Sequence, residues 1–157
     1  MRAFVTVGTT SFDKLISAAC DPSCLAELRG LGYDKVIVQW GRGSYEPSGV
    51  GVEGYRFKPN LKEDMAQADL IISHAGAGSI MEALQLGKKT IVVVNDALMH
   101  NHQEEVADAL VARNYLVAVP PHRLREAITQ TDWSRMRAYP SHSTEVFALV
   151  VGQTMAG

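Results

Sequence analysis

Six short runs of aliphatic, β-branched or aromatic residues, each set apart by loops or helix-length amphipathic stretches, decide what this 157-residue chain can fold into. The runs fall at 3–7, 35–40, 55–57, 69–73, 90–94 and 116–119. Those around Ile71 and through Ile91-Val92-Val93-Val94 are apolar without alternation, as strands covered on both faces must be. Helical spacing marks 11–19, 23–31, 61–67, 78–86, 102–113 and 121–129, and 143–152 is also helix-length. Strands alternating with helices predict an α/β fold, a Rossmann-like doubly wound parallel sheet. A Gly-, Ser- and Pro-rich stretch at 41–54 reads as the one long loop. No repeat or low-complexity linker divides the chain, so residues 1–157 are expected to form a single domain.

Charge and cysteine usage narrow the function classes. Fifteen Lys and Arg stand against seventeen Asp and Glu, a net charge of −2 that gives no basic footprint for nucleic acid. Arg123, Arg125, Arg135 and Arg137 alternate with Glu126 and Asp132 and read as solvated helix faces. Cys20 and Cys24 flank a helix break at Asp21-Pro22, and no second pair completes a zinc site. They are expected to be reduced, half-buried thiols. No stretch approaches the roughly 20 apolar residues of a membrane helix. The N-terminus runs into a strand without a signal-like segment, so the expected location is the cytosol.

Ligands of an open α/β sheet bind beyond the carboxyl ends of its strands, which directs attention to four polar segments. The richest is Ser73-His74-Ala75-Gly76-Ala77-Gly78-Ser79-Ile80-Met81-Glu82, where a buried strand turns through glycine into a helix. Unpartnered amides and the helix dipole make such a start suited to a diphosphate. Ser79 and Glu82 lie three apart on one helix face, placing a carboxylate one turn deeper, where it can accept from two vicinal ribose hydroxyls. Ile80, Ala83, Leu84 and Gly87 are expected to pack on the sheet. A tight turn followed by an exposed glutamate is the plainer alternative. His74 is the candidate base, or a residue that shapes the turn.

The second segment, Gly8-Thr9-Thr10-Ser11, offers hydroxyls either to a phosphate or to the following helix, with Thr10 or Ser11 as N-cap. It matches neither a Walker loop nor the G-x-G-x-x-G fingerprint, against ATP hydrolysis and NAD chemistry. The third, Asn95 through Glu105, contains an Asn101/Glu104 capping box. His100 and His102 would diverge from a helix start and lack a third ligand, so no metal is expected there. The fourth is Gly41-Arg42-Gly43-Ser44.

Four stretches carry a resemblance to a known family: Phe4-Val5-Thr6-Val7-Gly8-Thr9-Thr10, Gln39-Trp40-Gly41-Arg42-Gly43, Leu70-Ile71-Ile72-Ser73-His74-Ala75-Gly76-Ala77-Gly78-Ser79, and Asn95-Asp96-Ala97-Leu98-Met99-His100-Asn101-His102-Gln103. In this order they resemble the C-terminal, donor-binding domain of family 28 glycosyltransferases, half of a GT-B enzyme. The narrower likeness is to cytosolic donor-binding subunits of the eukaryotic UDP-N-acetylglucosamine transferases of dolichol-linked oligosaccharide synthesis. The resemblance implies that Gly76, Ala77, Gly78 and Ser79 hold the nucleotide diphosphate and that Glu82 binds the ribose. Gly8, Thr9 and Thr10 would face the diphosphate across the cleft, with Gly41 and Arg42 beside them. Asn101 and Gln103 would contact the donor sugar. Neither metal nor organic cofactor is implied.

The reaction so implied is inverting transfer of N-acetylglucosamine from UDP-N-acetylglucosamine to dolichyl-diphosphate-N-acetylglucosamine. The chain begins at the donor domain's first strand, so the acceptor half is expected on a separate membrane-anchored partner. That partner would present the lipid-linked acceptor and recruit this chain to the cytosolic face of the endoplasmic reticulum. Residues 143–157, apolar at Val146, Phe147, Leu149 and Val150, are expected to form a terminal helix that docks on it. Two alternatives stay open: a bacterial-type split transferase subunit for exopolysaccharide, and a nucleotide-sugar binding module without transferase activity.

Overall fold

The computed structural model describes residues 1–95 and 102–140, and of residues 102–105 it describes the backbone alone. Among the described residues six strands and six α-helices follow one another as β1 (Arg2–Thr6), α1 (Asp13–Ala19), α2 (Pro22–Gly30), β2 (Lys35–Gln39), β3 (Val52–Tyr55), α3 (Lys62–Gln67), β4 (Leu70–His74), α4 (Ala77–Gln85), β5 (Lys89–Val93), α5 (His102–Ala112), β6 (Val117–Val119) and α6 (Leu124–Gln130). The strands form one sheet in the order β3-β2-β1-β4-β5-β6, and every neighbouring pair is parallel. The order reverses between β1 and β4. There the chain leaves both strands on the same edge, with Thr6 opposite Ser73.

The unbroken apolar runs have the cause expected of them. Val5, Ile72, Ile91 and Val93 pack with Leu15, Leu28 and Leu124 from α1, α2 and α6. The alternate residues of the same strands point the other way: Phe4 and Ile71 meet Met65 and Ala83, and Val92 meets Ile80, Leu110 and Leu116. Helices therefore cover both faces, and removing this area from water is the main stabilising contribution. At the predicted break, the Asp21 side chain accepts from Ser23 N at 2.9 Å and Pro22 occupies the first helical position of α2.

The departures from expectation are local. β3 lies at Val52–Tyr55, not 55–57, because its backbone follows the register of β2, with Val52 opposite Val36 and Tyr55 opposite Gln39. It is an edge strand with Glu53 and Gly54 exposed, so no apolar pattern marks it. Gly87 does not pack on the sheet. It is exposed with φ of +70° and closes α4, Lys88 N donating to Ala83 O at 3.1 Å. Cys20 and Cys24 are buried, not half-buried, and both are free thiols. Burial pushes Cys24 up to about 12, so it stays protonated at neutral pH. Residues 143–157, including Val146, Phe147, Leu149 and Val150, lie outside the described residues.

The long loop after β2 is anchored by a close approach. Gly41 is buried at φ of +62°, and a Cβ there would stand 2.2 Å from Thr10 O and 2.8 Å from Val7 Cγ2. At Gly87 the same addition meets nothing within 4 Å. Gly87→Ala should therefore cost only the left-handed backbone penalty, about 1–2 kcal/mol. Gly41→Ala should cost about 3 kcal/mol or more, since backbone must also move. Urea unfolding of the two variants checks the difference; equal midpoints would show that the 41–43 loop is not seated on the β1 loop.

Candidate functional site

Two glycine-bearing loops meet where the strand order reverses. One leaves β1 through Val7-Gly8-Thr9-Thr10, and the other leaves β4 through Ala75-Gly76 into α4. The His74 imidazole fills the space between them. A Cβ on Gly8 would lie 2.9 Å from its Nε2, and one on Gly76 would lie 2.3 Å from its Cε1. Both loops thus sit in close approach to one ring, which any larger side chain would displace.

On the β4 side, α4 begins without a side-chain cap. Gly76 is the N-cap residue at φ −77° and ψ 127°, and the first turn holds no acidic residue. Gly76 O accepts from Ile80 N at 3.1 Å, which leaves the amides of Ala77, Gly78 and Ser79 at the helix mouth. Gly78 is exposed, and nothing lies within 4 Å of the position its Cβ would take. Among the described residues no side chain caps this mouth, which carries the positive end of the helix dipole. Ser79 is half-buried and Glu82, one turn deeper, is exposed. Ile80, Ala83 and Leu84 hold the opposite side of the helix in the core.

On the β1 side, the hydroxyl residues do not cap α1. Its N-cap is Phe12, with no side-chain cap, and Thr9, Thr10 and Ser11 are all exposed. Phe12 is drawn into the core and Thr10 O is engaged by Arg42 N at 3.1 Å, so the helix starts later than expected. The hydroxyls are left at the crevice. The Gly8 amide is not: its N–H donates to Gln39 Oε1 at 2.9 Å, inside the fold. Whatever this loop offers a ligand must come from Thr9 and Thr10.

Sequence reasoning overlooked two residues that hold these loops. Gln39, at the end of β2, is 1% exposed and reaches the β1 loop. Arg56, just past β3, donates through Nη1 to Gly41 O at 2.9 Å and Gly43 O at 3.0 Å, with its guanidinium carbon 3.7 Å from the centre of the Trp40 ring. Gly41 and Arg42 are thereby set beside Gly8, Thr9 and Thr10, with the Arg42 side chain exposed. A glutamine closing the run Val36-Ile37-Val38 is a detectable signal, because a buried amide must find partners. Nothing in the sequence marks Arg56. Asn101 and His100 lie outside the described residues, as do the side chains of His102 and Gln103.

A cleft of about 710 Å³ lies elsewhere, between α1, α2 and the start of α6. Its charged groups are largely committed: Asp13 accepts from Ser44 N and Tyr45 N, Asp21 from Ser23 N, and Arg125 pairs with Glu27 at 3.3 Å. The crevice between the glycine loops is the better candidate, because the uncapped start of α4 and the exposed hydroxyls of Thr9 and Thr10 converge there. No group of three or more His, Cys, Asp or Glu among the described residues is placed to hold a metal.

Comparison with known proteins gives a consistent result. The model of the glycosyltransferase family 28 C-terminal domain matches residues 2–151. A UDP-N-acetylglucosamine transferase subunit ALG13 from Mus musculus is 50% identical over 120 residues, 73% of this chain but 10% of that protein. The chain likewise spans 10% of the human relative of the same name, with 49% identity. The Saccharomyces cerevisiae subunit of that name is 29% identical over 188 residues, covering 94% of this chain and 93% of its own length. An NMR solution structure of ALG13 superposes with a TM-score of 0.72 at 29% identity, over 99% of this chain and 97% of that one. The MurG crystal structure from Acinetobacter baumannii superposes at 0.63 over 95% of this chain and 44% of that one, and at 16% identity it shows the shared fold alone.

The wedge between the loops has a measurable consequence. Burial pushes the His74 imidazole from 6.5 down to about 4, so the ring is neutral at physiological pH. In the unfolded chain the same ring takes up a proton near 6.5. As pH falls from 6.5 towards 4 the unfolded state binds more protons, and the folded protein loses stability. Between pH 6.5 and 5 the loss attributable to this residue should be about 1.5 kcal/mol. Urea unfolding at both pH values should show it in the wild type and not in His74→Gln. An equal loss in the variant would show that the ring is not buried between the loops.

Proposed function

We infer the function from one premise: the chain belongs to the glycosyltransferase family 28 C-terminal domain family. On that premise we propose that it is the donor-binding subunit of a UDP-N-acetylglucosamine transferase. Its relatives are named as subunits of such a transferase, which supports both the donor and the need for a partner. The observation that carries the proposal is the uncapped start of α4 facing the Gly8 loop where the strand order reverses.

The diphosphate of the donor lies at the amides of Ala77, Gly78 and Ser79, with the hydroxyls of Thr9 and Thr10 across from it. Glu82, one turn into α4, accepts from the two ribose hydroxyls. Asn101 and Gln103 contact the sugar. In the transfer, the acceptor's 4-hydroxyl oxygen attacks the anomeric carbon from the face opposite UDP. The bond to the β-phosphate oxygen breaks with its electron pair, and configuration inverts. Negative charge grows on the departing diphosphate, where fixed amide dipoles stabilise it without rearranging. A base must accept the hydroxyl proton. His74 is the candidate on this chain, but an imidazole held near 4 is a weak acceptor. We therefore assign the base to the partner and give His74 the role of spacing the two loops.

The acceptor in this proposal is dolichyl-diphosphate-N-acetylglucosamine, presented by a membrane-anchored acceptor-domain subunit on the cytosolic face of the endoplasmic reticulum. Residues 143–157 dock on that subunit through Val146, Phe147, Leu149 and Val150.

Three experiments test this. In a thermal-shift panel, UDP-N-acetylglucosamine at a hundredfold over its Kd should stabilise the chain by about 2.7 kcal/mol, or about 5–10 °C. UDP-galactose and UDP-glucose should do less, and GDP-mannose and ATP nothing. Glu82→Ala should weaken UDP about tenfold while keeping its melting temperature without ligand. Equal response to ATP, or unchanged UDP affinity in the variant, would remove the assignment. Separately, deleting 143–157 should abolish co-purification of the acceptor subunit; survival of that association would remove the docking role.

A further inference from the structure

Gln39 uses every hydrogen-bonding position of its side chain on the loops around the crevice. Its Oε1 accepts from Thr6 Oγ1 at 2.5 Å, Gly8 N at 2.9 Å and Val7 N at 3.1 Å. Its Nε2 donates to Gly8 O and to Arg56 O, both at 2.7 Å. One side chain thus grips Gly8 at both its N–H and its C=O, as a neighbouring strand would grip a residue still inside the sheet. Gln39 is the last residue of β2 and lies opposite Thr6, the last of β1. Backbone pairing reaches Val7, whose N–H donates to Gln39 O at 3.2 Å, and the side-chain amide carries the hold one residue further, to Gly8.

The second contact gives the arrangement its reach. Arg56 O, held by Gln39, also accepts from Gly41 N at 3.2 Å, while the Arg56 guanidinium binds Gly41 O and Gly43 O. Arg42 N closes back onto Thr10 O. The loops after β1, β2 and β3 are joined in one network, and the buried amide is its centre. A buried polar group costs stability unless it is fully satisfied, and a satisfied one specifies a single geometry. An apolar side chain would fill this place more simply if packing were all that mattered.

The geometry points to Gln39 as a positioning residue for the donor diphosphate. It holds Gly8 against His74 and so sets the height at which Thr9 and Thr10 face the start of α4. It touches no ligand itself. This rests on the proposed donor site, and it adds a specific division: Gln39 governs the phosphate end of the nucleotide and has no bearing on the nucleoside end.

That division supplies the test. UDP and uridine are titrated by NMR into the full-length wild type and Gln39→Met, a change that keeps volume and removes all five hydrogen bonds. UDP should bind about tenfold more weakly to the variant, while the affinity for uridine stays the same. An equal loss for both ligands would show that Gln39 only stabilises the fold, and unchanged UDP affinity would show that the loop does not contact the diphosphate; either overturns the inference. Absence of UDP binding by the wild type would instead overturn the donor-site proposal itself. Thr6→Val, which removes one donor to Gln39 Oε1, should show the same selective loss on a smaller scale. If Gln39→Met does not fold, Thr6→Val takes its place, and an equal loss for both ligands or an unchanged UDP affinity overturns the inference in the same way.

Discussion

Because β1 pairs in parallel with β4, and not with the strand that follows it in the chain alone, Thr6 lies beside Ser73 and both strands release their chains at one point. Neither loop can then pass over the other strand's end, and a crevice between them is forced by topology. What fills it is a matter of side-chain size. Glycine at positions 8 and 76 lets both backbones close onto the His74 ring, which serves as a spacer between them. The strand pairing supplies the place, and the ring sets the separation.

The electrostatics of the crevice follow from burial. A protonated imidazole between the loops would attract a diphosphate, but desolvation holds His74 near 4 and the ring neutral. The positive character of the site comes instead from the bare start of α4, whose first turn lacks both a capping side chain and a carboxylate. Such dipoles do not titrate, so their attraction for an anion is constant across the pH range in which histidine would switch. The exposed Glu82 carboxylate lies one turn further on, where solvent screens its repulsion of charge at the helix mouth.

The sheet was legible because burial on both faces writes itself as unbroken Val and Ile runs, and five of the six described strands lie where they were expected. The one misplaced strand, β3, is an edge element whose position is set by backbone register with β2, a relation that side-chain patterning does not encode. At the crevice, the glycine turn into α4 was legible through its residue types. The start of α1 was not, because Thr10 and Ser11 make good caps locally, and it is the tertiary pull on Phe12 and Thr10 O that moves the helix start. Arg56 was invisible for a similar reason: its partners, the Gly41 and Gly43 carbonyls, are gathered by folding and lie more than ten residues away. Gln39 stood between these cases, detectable as a polar residue in a buried run but with no indication of what it binds.

The two walls of the crevice are held in different ways. The β1 loop is tethered at Gly8 by Gln39 and at Thr10 by Arg42, while the first turn of α4 presents amides that no side chain among the described residues engages. One wall is fixed in position and the other is fixed in direction, by the helix axis. For a group that must receive charge as a bond breaks, this is the favourable combination. The donors are already oriented, so no reorganisation opposes the step, and a rigid opposite wall keeps the anion from sliding off the axis. The same rigidity limits what the crevice can do alone. With His74 packed between glycines and neutral, the β1 and β4 loops offer fixed donors but no strong base, and under the proposed reaction the activation of a nucleophile falls to groups beyond them.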